Sequence, residues 1–272
     1  MKPIDLHLHT TASDGAFTVE EVLTAARDKG LAAISITDHD SVSSVPEEIR
    51  RSSAFGLEAV PGMELSIECD GFEIHLLGYL FDYRDAELLE RLSGFQEARR
   101  ERAELMLAKL EGMGITLELE KYFPGVSDGS IGRLHIGRAM YLSGYVSSVQ
   151  EAFSRYIGNQ GPVYVPKLTF SLPEAIGIIR KLGGVAVLAH PGQLRKDDLI
   201  PEMVSMGLQG LEAYYPSHSL FETNHYIELA RYYGLIVTGG SDCHGPNKSR
   251  ILMGEVVVPY EVLDELRELV GK

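Results

Sequence analysis

The sequence predicts an α/β chain, a distorted (β/α) TIM-like barrel of seven or eight strands interrupted by a helical insert. Three observations carry this. Apolar strand-like runs alternate with helix-like runs over residues 1–84. The alternation stops over residues 85–169, where charged helical segments replace it. It resumes over residues 170–272. The barrel is therefore read as 1–84 with 170–272, and 85–169 as an inserted helical subdomain for substrate recognition. A chain of 272 residues suits one barrel-sized domain carrying an insert.

Each element has its own signal. Ile4 to Leu8 alternates apolar and polar residues, as a strand does. Thr18 and Glu21 form a capping box that opens a helix, and Gly30 stops it. Residues 32–37 make a second strand, and Pro46 begins a short helix. A third strand region runs from Ala59 to Ile67, and a fourth strand from Phe72 to Phe81, separated by the turn residues of CDG. In the insert, EARRERAE alternates in sign and reads as a solvated helix with internal ion pairs. SLPEAIGIIRKLGG begins the second half as a helix with Pro near its start. Strands follow at residues 184–189, 210–214, 235–238 and 255–258.

Composition narrows the function classes. With 39 acids against 25 bases the net charge is -14, which opposes non-specific binding to a nucleic-acid backbone. A small anionic substrate is still compatible, because bound cations reverse the field locally. Cys69 and Cys243 are far apart and imply no disulfide framework. MKPIDLHLHT has no signal-peptide pattern, and no run of about 18 apolar residues is present. The chain is read as soluble and cytoplasmic, with no membrane partner and no protein partner.

The chemistry concentrates at the ends of the strands. His7 and His9 end the first strand, two apart and so on one face. Asp14 lies in the next loop. His39 follows the second strand, Glu64 sits in the third region, His75 is on the fourth and His190 follows the fifth. Asp242 and His244 follow the seventh. In a β/α barrel these ends share one mouth. A lone buried histidine is usually structural. Six of the nine histidines at equivalent strand ends, with three carboxylates, point instead to metal ligation and metal-assisted hydrolysis. Imidazole with carboxylate suits manganese, iron or zinc. Cys243, between two candidate ligands on an extended segment, should point away from them. Asp38 and Asp40 flank His39 and could orient an imidazole or face solvent.

HLHTTASDG, ITDHDSVSS, VPGMELSIE, IHLLGYL, LAHPG and GSDCHG together resemble the PHP (polymerase and histidinol phosphatase) family, and the insert fits through SIGRLHIGRAM and GNQGPVYVPK. The likeness is to stand-alone bacterial phosphoesterases acting on nucleotide phosphates, including nucleoside 3',5'-bisphosphates, and on short oligonucleotides. It implies two or three divalent ions, with manganese favoured over iron or zinc. His7, His9, Glu64 and Asp242 would bind the first. Glu64 would bridge to a second on His75 and His190. Asp14, His39 and His244 would bind the third. Asp14, His39, Glu64, Asp242 and His244 then form the catalytic set, with a metal-activated water as nucleophile.

Arg133, His135 and Arg138 in GRLHIGR, with Lys167, form a cationic set for a phosphate. The family pattern reads GRPHIAR more often, so Leu134 and Gly137 depart from it. His218 follows the sixth strand and is a further substrate-binding candidate; Tyr214 and Tyr215 could line the pocket or pack in the core. The expected partner is a small phosphorylated substrate, a nucleotide, with no stable nucleic-acid partner. Histidinol phosphate is the rival substrate. A C–N hydrolase or a non-catalytic metal-binding domain are rivals of another class. The early carboxylate-rich set and the absence of an evident carboxylated-lysine position oppose the first, and the complete ligand set opposes the second.

Overall fold

A computed structural model of the chain describes residues 3–69, 72–123, 131–247 and 251–271. Strands β1 (Asp5–Leu8), β2 (Ala33–Ile36) and β3 (Glu58–Ala59) form a parallel sheet in that order. Strands β4 (Gly62–Cys69), β5 (Phe72–Tyr79), β6 (Val185–Leu188), β7 (Gly210–Tyr214) and β8 (Ile236–Gly239) form a second sheet, also in chain order. Single bridges join β1 to the segment after β8 (Leu8 with Cys243) and the segment after β2 to β4 (His39 with Glu64), and a further one pairs Ile4 with Val258. The fold is mixed α/β with two sheets, and the ladder does not close into one ring among the described residues.

Three expectations change. β5 runs antiparallel to both β4 and β6, breaking the all-parallel pattern. Only Asp70 and Gly71 separate β4 from β5, and so short a link permits a hairpin but no crossover. Those two residues, the centre of the expected CDG turn, lie outside the described residues. The third strand region splits at Val60–Pro61. Val60 N still donates to Ile34 O in β2, while Pro61, with no N–H, accepts from Leu80 N beyond β5. Residues 255–258 form no strand; Val258 makes one antiparallel bridge with Ile4.

The helices are α1 (Val19–Asp28), α2 (Val45–Arg51), α3 (Ala86–Gly112), α4 (Leu119–Tyr122), α5 (Arg133–Leu142), α6 (Val149–Ala152), α7 (Leu172–Lys181), α8 (Pro191–Leu194), α9 (Ile200–Met206), α10 (Leu220–Tyr233) and α11 (Glu261–Val270). Capping boxes start α1 at Thr18 with Glu21, α7 at Ser171 with Glu174, and α10 at Ser219 with Glu222. The chain divides into two compact units, residues 1–89 with 170–272, and 90–169. The division falls inside α3, between Leu89 and Glu90. The second unit has its own core, including Met106, Leu110, Ile136, Met140 and Val163. Its α3 is not solvated all round. Arg99 and Arg102 are buried, and Arg102 Nε donates to Val165 O at 2.7 Å.

In the first unit, β1, β2 and β6 are buried along their whole length. Leu6 and Val187 belong to one apolar cluster, and Leu8 and Leu23 to another. Buried polar groups accompany them. Glu48 of α2 is fully buried and accepts from Ile36 N at 3.1 Å. Burial pushes its carboxyl well above the ordinary range, against that hydrogen bond. The folded state therefore holds a proton that the unfolded state releases above the usual carboxylate range, so Glu48 costs more stability as pH rises. Glu48→Gln should unfold at higher denaturant than the parent at pH 8, and the gain should shrink toward pH 4. A gain independent of pH would contradict the assignment.

Candidate metal centre

The site begins with β1. His7 and His9 lie on one face, ring centroids 5.2 Å apart. The segment after β2 then pairs with β4: Asp40 N donates to Glu64 O, and Glu64 N to Asp38 O. This brings His39 against Glu64. Across the β4–β5 hairpin, His75 pairs with Ser66, two residues beyond Glu64. Ala189 N donates to His75 O, which delivers His190. After β8, Gly240 passes so close to His7 that an added Cβ would lie 2.5 Å from the His7 nitrogen. That close approach, open only to glycine, brings Asp242 and His244 in from the far edge.

Glu64 is the centre of the result. Its Oε2 lies 3.2 Å from His7 Nε2, 3.1 Å from His9 Nε2 and 3.2 Å from His39 Nδ1. Its Oε1 lies 2.9 Å from His75 Nδ1 and 3.3 Å from His190 Nε2. Asp242 Oδ1 faces His9 Nε2 at 3.2 Å and His7 Nε2 at 3.6 Å. Asp14 Oδ1 faces His244 Nε2 at 3.1 Å, with His9 and His39 at 4.0 Å. Among the described residues three groups of donor atoms emerge, each within 4.8 Å: His7, His9, Glu64 and Asp242; His9, Asp14, His39 and His244; and His39, Glu64 and His75. His9 and His39 thus each stand in two groups. His190 joins the last side through His75, the two nitrogens 3.3 Å apart.

These residues fit divalent ions. His9 Nε2 is buried and makes no hydrogen bond among the described residues, although two carboxylates stand beside it. Converging imidazole and carboxylate donors that lack hydrogen-bond geometry suit a shared cation, which would displace any imidazole proton on binding. The outer nitrogens support the same polarity. His7 Nδ1 is 2.8 Å from Glu212, and His244 Nδ1 is 2.9 Å from Asp242 O, so each carries its proton there and turns Nε2 inward.

Burial opposes charge on every group in this pit. At His39 it prevails and lowers the imidazole to about 3. At His7, His9 and His75 the carboxylates outweigh it. Asp242 and Glu64 raise His9 to about 9, Glu64 raises His75 to about 10, and Glu212 with Glu64 holds His7 well above its ordinary value. In return, His244 and His39 hold Asp14, and His39, His7 and His75 hold Glu64, well below the carboxylate range.

Backbone strain collects here too. Asp40, His190 and Asp242 adopt left-handed φ of 48°, 29° and 49°. Asp38 is buried, not solvated, and accepts from Thr10 N, Thr10 Oγ1, Ser13 Oγ and Ser44 Oγ at 2.6–2.7 Å. It pins the loop that carries Asp14. Asp40 is also buried and accepts from Ser66 N at 2.9 Å. Cys243 is buried in the apolar cluster with Leu8 and Met253.

Sequence reasoning passed over Glu212. Its carboxylate meets His7 Nδ1 on one oxygen and accepts from His190 N at 2.8 Å on the other. One acid inside the apolar run GLEAY was the available signal. His218 is held by backbone at both ring nitrogens: Nδ1 donates to Ala213 O, and Nε2 accepts from Gly192 N. Arg133, His135, Arg138 and Lys167 all lie in the second unit. Arg133 Nη1 donates to Asn159 Oδ1, and His135 Nδ1 accepts from Gly132 N at the start of α5. Arg138 lies over the Phe123 ring, and Lys167 is half-buried.

The PHP domain family matches residues 5–157. The chain is 33% identical over 262 residues to the 3',5'-nucleoside bisphosphate phosphatase of Chromobacterium violaceum, covering 91% of this chain and 89% of that protein. It is 32% identical over 246 residues to the phosphoribosyl 1,2-cyclic phosphate 1,2-diphosphodiesterase of Eggerthella lenta, covering 89% and 94%. It is 33% identical over 250 residues to the 5'-3' exoribonuclease Rnm of Escherichia coli, covering 89% and 85%. A solved structure of a candidate metal-dependent phosphoesterase from Bifidobacterium adolescentis superposes with a TM-score of 0.88 at 26% identity, covering 100% of this chain and 99% of that one. Fold, site and relatives define a metal-dependent phosphoesterase. The chain belongs to the PHP family.

Ion binding requires neutral imidazoles, yet His9 and His75 carry protons at neutral pH when no cation is bound. Titrating the metal-free protein with Mn²⁺ at pH 7.5 should therefore release protons, and affinity should climb from pH 7 to 9. Calorimetry in buffers of different ionisation enthalpy reads both. An affinity flat over that range would contradict the charge assignment.

Proposed function

We propose that this chain cleaves a phosphate monoester of a small nucleotide, with a nucleoside 3',5'-bisphosphate as substrate, using two or three manganese ions. The observation that carries the proposal is Glu64 presenting one oxygen to His7, His9 and His39 and the other to His75 and His190. A carboxylate so placed suits a bridge between two ions. On this reading His7, His9, Glu64 and Asp242 hold one ion, Glu64, His75 and His190 a second, and Asp14, His39 and His244 a third. The bound ions would supply Lewis acidity toward the phosphoryl oxygens and make water acidic enough to attack.

The protein's own groups do the holding. Glu212 fixes the His7 tautomer and the His190 backbone together. Asp38 fixes the Asp14 loop. The two sheets, linked at Leu8–Cys243 and His39–Glu64, act on this reading as a distorted barrel whose mouth bears the ligands. His218, with both nitrogens engaged, is left out of proton transfer to the leaving group.

Substrate choice rests on the first relative's named activity and on residue chemistry. Arg138 supports an anion-binding role: its Nη1 is buried without a hydrogen bond among the described residues, and burial lowers its pKa. Arg133, His135 and Lys167 are assigned to the substrate's anionic part on charge and family resemblance. The net charge of -14 favours a small anion over a long nucleic-acid backbone.

Turnover of the manganese-loaded protein should be measured as phosphate release from adenosine 3',5'-bisphosphate, histidinol phosphate and a ribose 1,2-cyclic phosphate, and as mononucleotide release from a short 5'-phosphorylated oligoribonucleotide. The bisphosphate should have the highest kcat/KM. Chelation should abolish turnover, and Asp242→Asn should cost at least about 100-fold. A tenfold preference for the oligonucleotide or for histidinol phosphate would overturn the substrate while leaving the centre standing.

A further inference from the structure

Strand β7 supplies none of the nine candidate ligands, yet it carries Glu212, and Tyr215 follows it directly. Tyr215 is buried. Its hydroxyl lies 2.8 Å from Asp242 Oδ2, and Gln193 Nε2 lies 2.6 Å from the same hydroxyl. Gln193 belongs to α8, which starts at Pro191 directly after His190. The chain of contacts Gln193–Tyr215–Asp242 thus joins the segments after β6, β7 and β8.

Its polarity is determined by valence. A phenol has one proton to donate. The Gln193 amide nitrogen can only donate, so the Tyr215 oxygen accepts from it. The phenolic proton is then committed to the Asp242 carboxylate. The ring has little freedom to swing away, because it packs 5.3 Å from the His190 ring and 5.1 Å from the His218 ring. His218 is itself tied to Ala213 O and Gly192 N. At Asp242 the two oxygens have different tasks. Oδ2 receives Tyr215, while Oδ1 faces His9 and His7.

We propose that Tyr215 is a positioning residue of the metal centre, one that engages Asp242 Oδ2 so that Oδ1 is the oxygen presented to an ion, and that Gln193 sets the direction of the Tyr215 proton. This rests on the metal-centre reading given above. Without the Tyr215 hydrogen bond the carboxylate loses its restraint from Tyr215 on Oδ2, and ion binding must supply part of that ordering. Outer partners of this kind typically change metal affinity by about 10–100-fold. Gln193 is exposed and lines a cavity of about 170 Å³ together with His75 and His190, so it can be replaced without opening the core.

The test is a double-mutant cycle on Mn²⁺ affinity. Wild type, Tyr215→Phe, Gln193→Leu and the double variant are stripped by chelation and titrated with Mn²⁺. Free ion is read by electron paramagnetic resonance, and melting of the metal-free proteins by circular dichroism. Tyr215→Phe should weaken one class of Mn²⁺ site by about 10–100-fold while melting with wild type. Gln193→Leu should weaken the same class by a smaller factor. The double variant should be no weaker than Tyr215→Phe, because Gln193 acts only through the hydroxyl. Unchanged affinity in Tyr215→Phe, or losses that multiply in the double variant, would overturn the proposal and leave the metal centre standing. A wild-type protein that binds no Mn²⁺ would overturn both.

Discussion

A carboxylate withdrawn from solvent has to be offset within a few ångströms, because the surrounding protein solvates it poorly. Glu64 is such a group. Its two oxygens face five imidazoles, three on one side and two on the other. Imidazoles that take up protons can offset the charge in part. They also repel one another at ring separations of 4.1–6.2 Å around the cluster. Divalent cations resolve the conflict better: they leave the rings neutral and satisfy all the convergent lone pairs together.

The rest of the first unit can be understood as holding that cluster in register. The hairpin brings His75 beside Glu64, and the bridge between His39 and Glu64 brings the two sheets together at the same residue. Left-handed backbone at Asp40, His190 and Asp242 turns the chain sharply where ligands must aim inward. Strand β7 offers no candidate ligand, but Glu212 on it and Tyr215 just after it reach candidate ligands on β1 and after β6 and β8. Preorganisation of this kind reduces the cost of ordering the site when cations bind.

Much of this was legible in the sequence, and the misses have physical causes. The HxH spacing and the strand ends announced the nine residues, because strand geometry alone puts His7 and His9 on one face. Glu212 was hidden because an acid in GLEAY looks like the solvent face of an alternating strand; only burial of both faces makes it a partner for His7. Tyr215 stood out only as a pocket or core candidate and Gln193 not at all, because their contacts span 22 and 27 residues along the chain. The antiparallel β5 was within reach, since a two-residue link cannot carry a crossover. The weak run at 255–258 failed as a strand because it has one partner residue, Ile4, and no ladder.

The most direct measurement is a crystal structure of the manganese-loaded protein with anomalous scattering recorded above and below the manganese edge. The account predicts at least two anomalous peaks inside the histidine cluster, with Glu64 touching two of them and Asp242 reaching one through Oδ1. Peaks located elsewhere, or a loaded protein in which Glu64 contacts no ion, would contradict it.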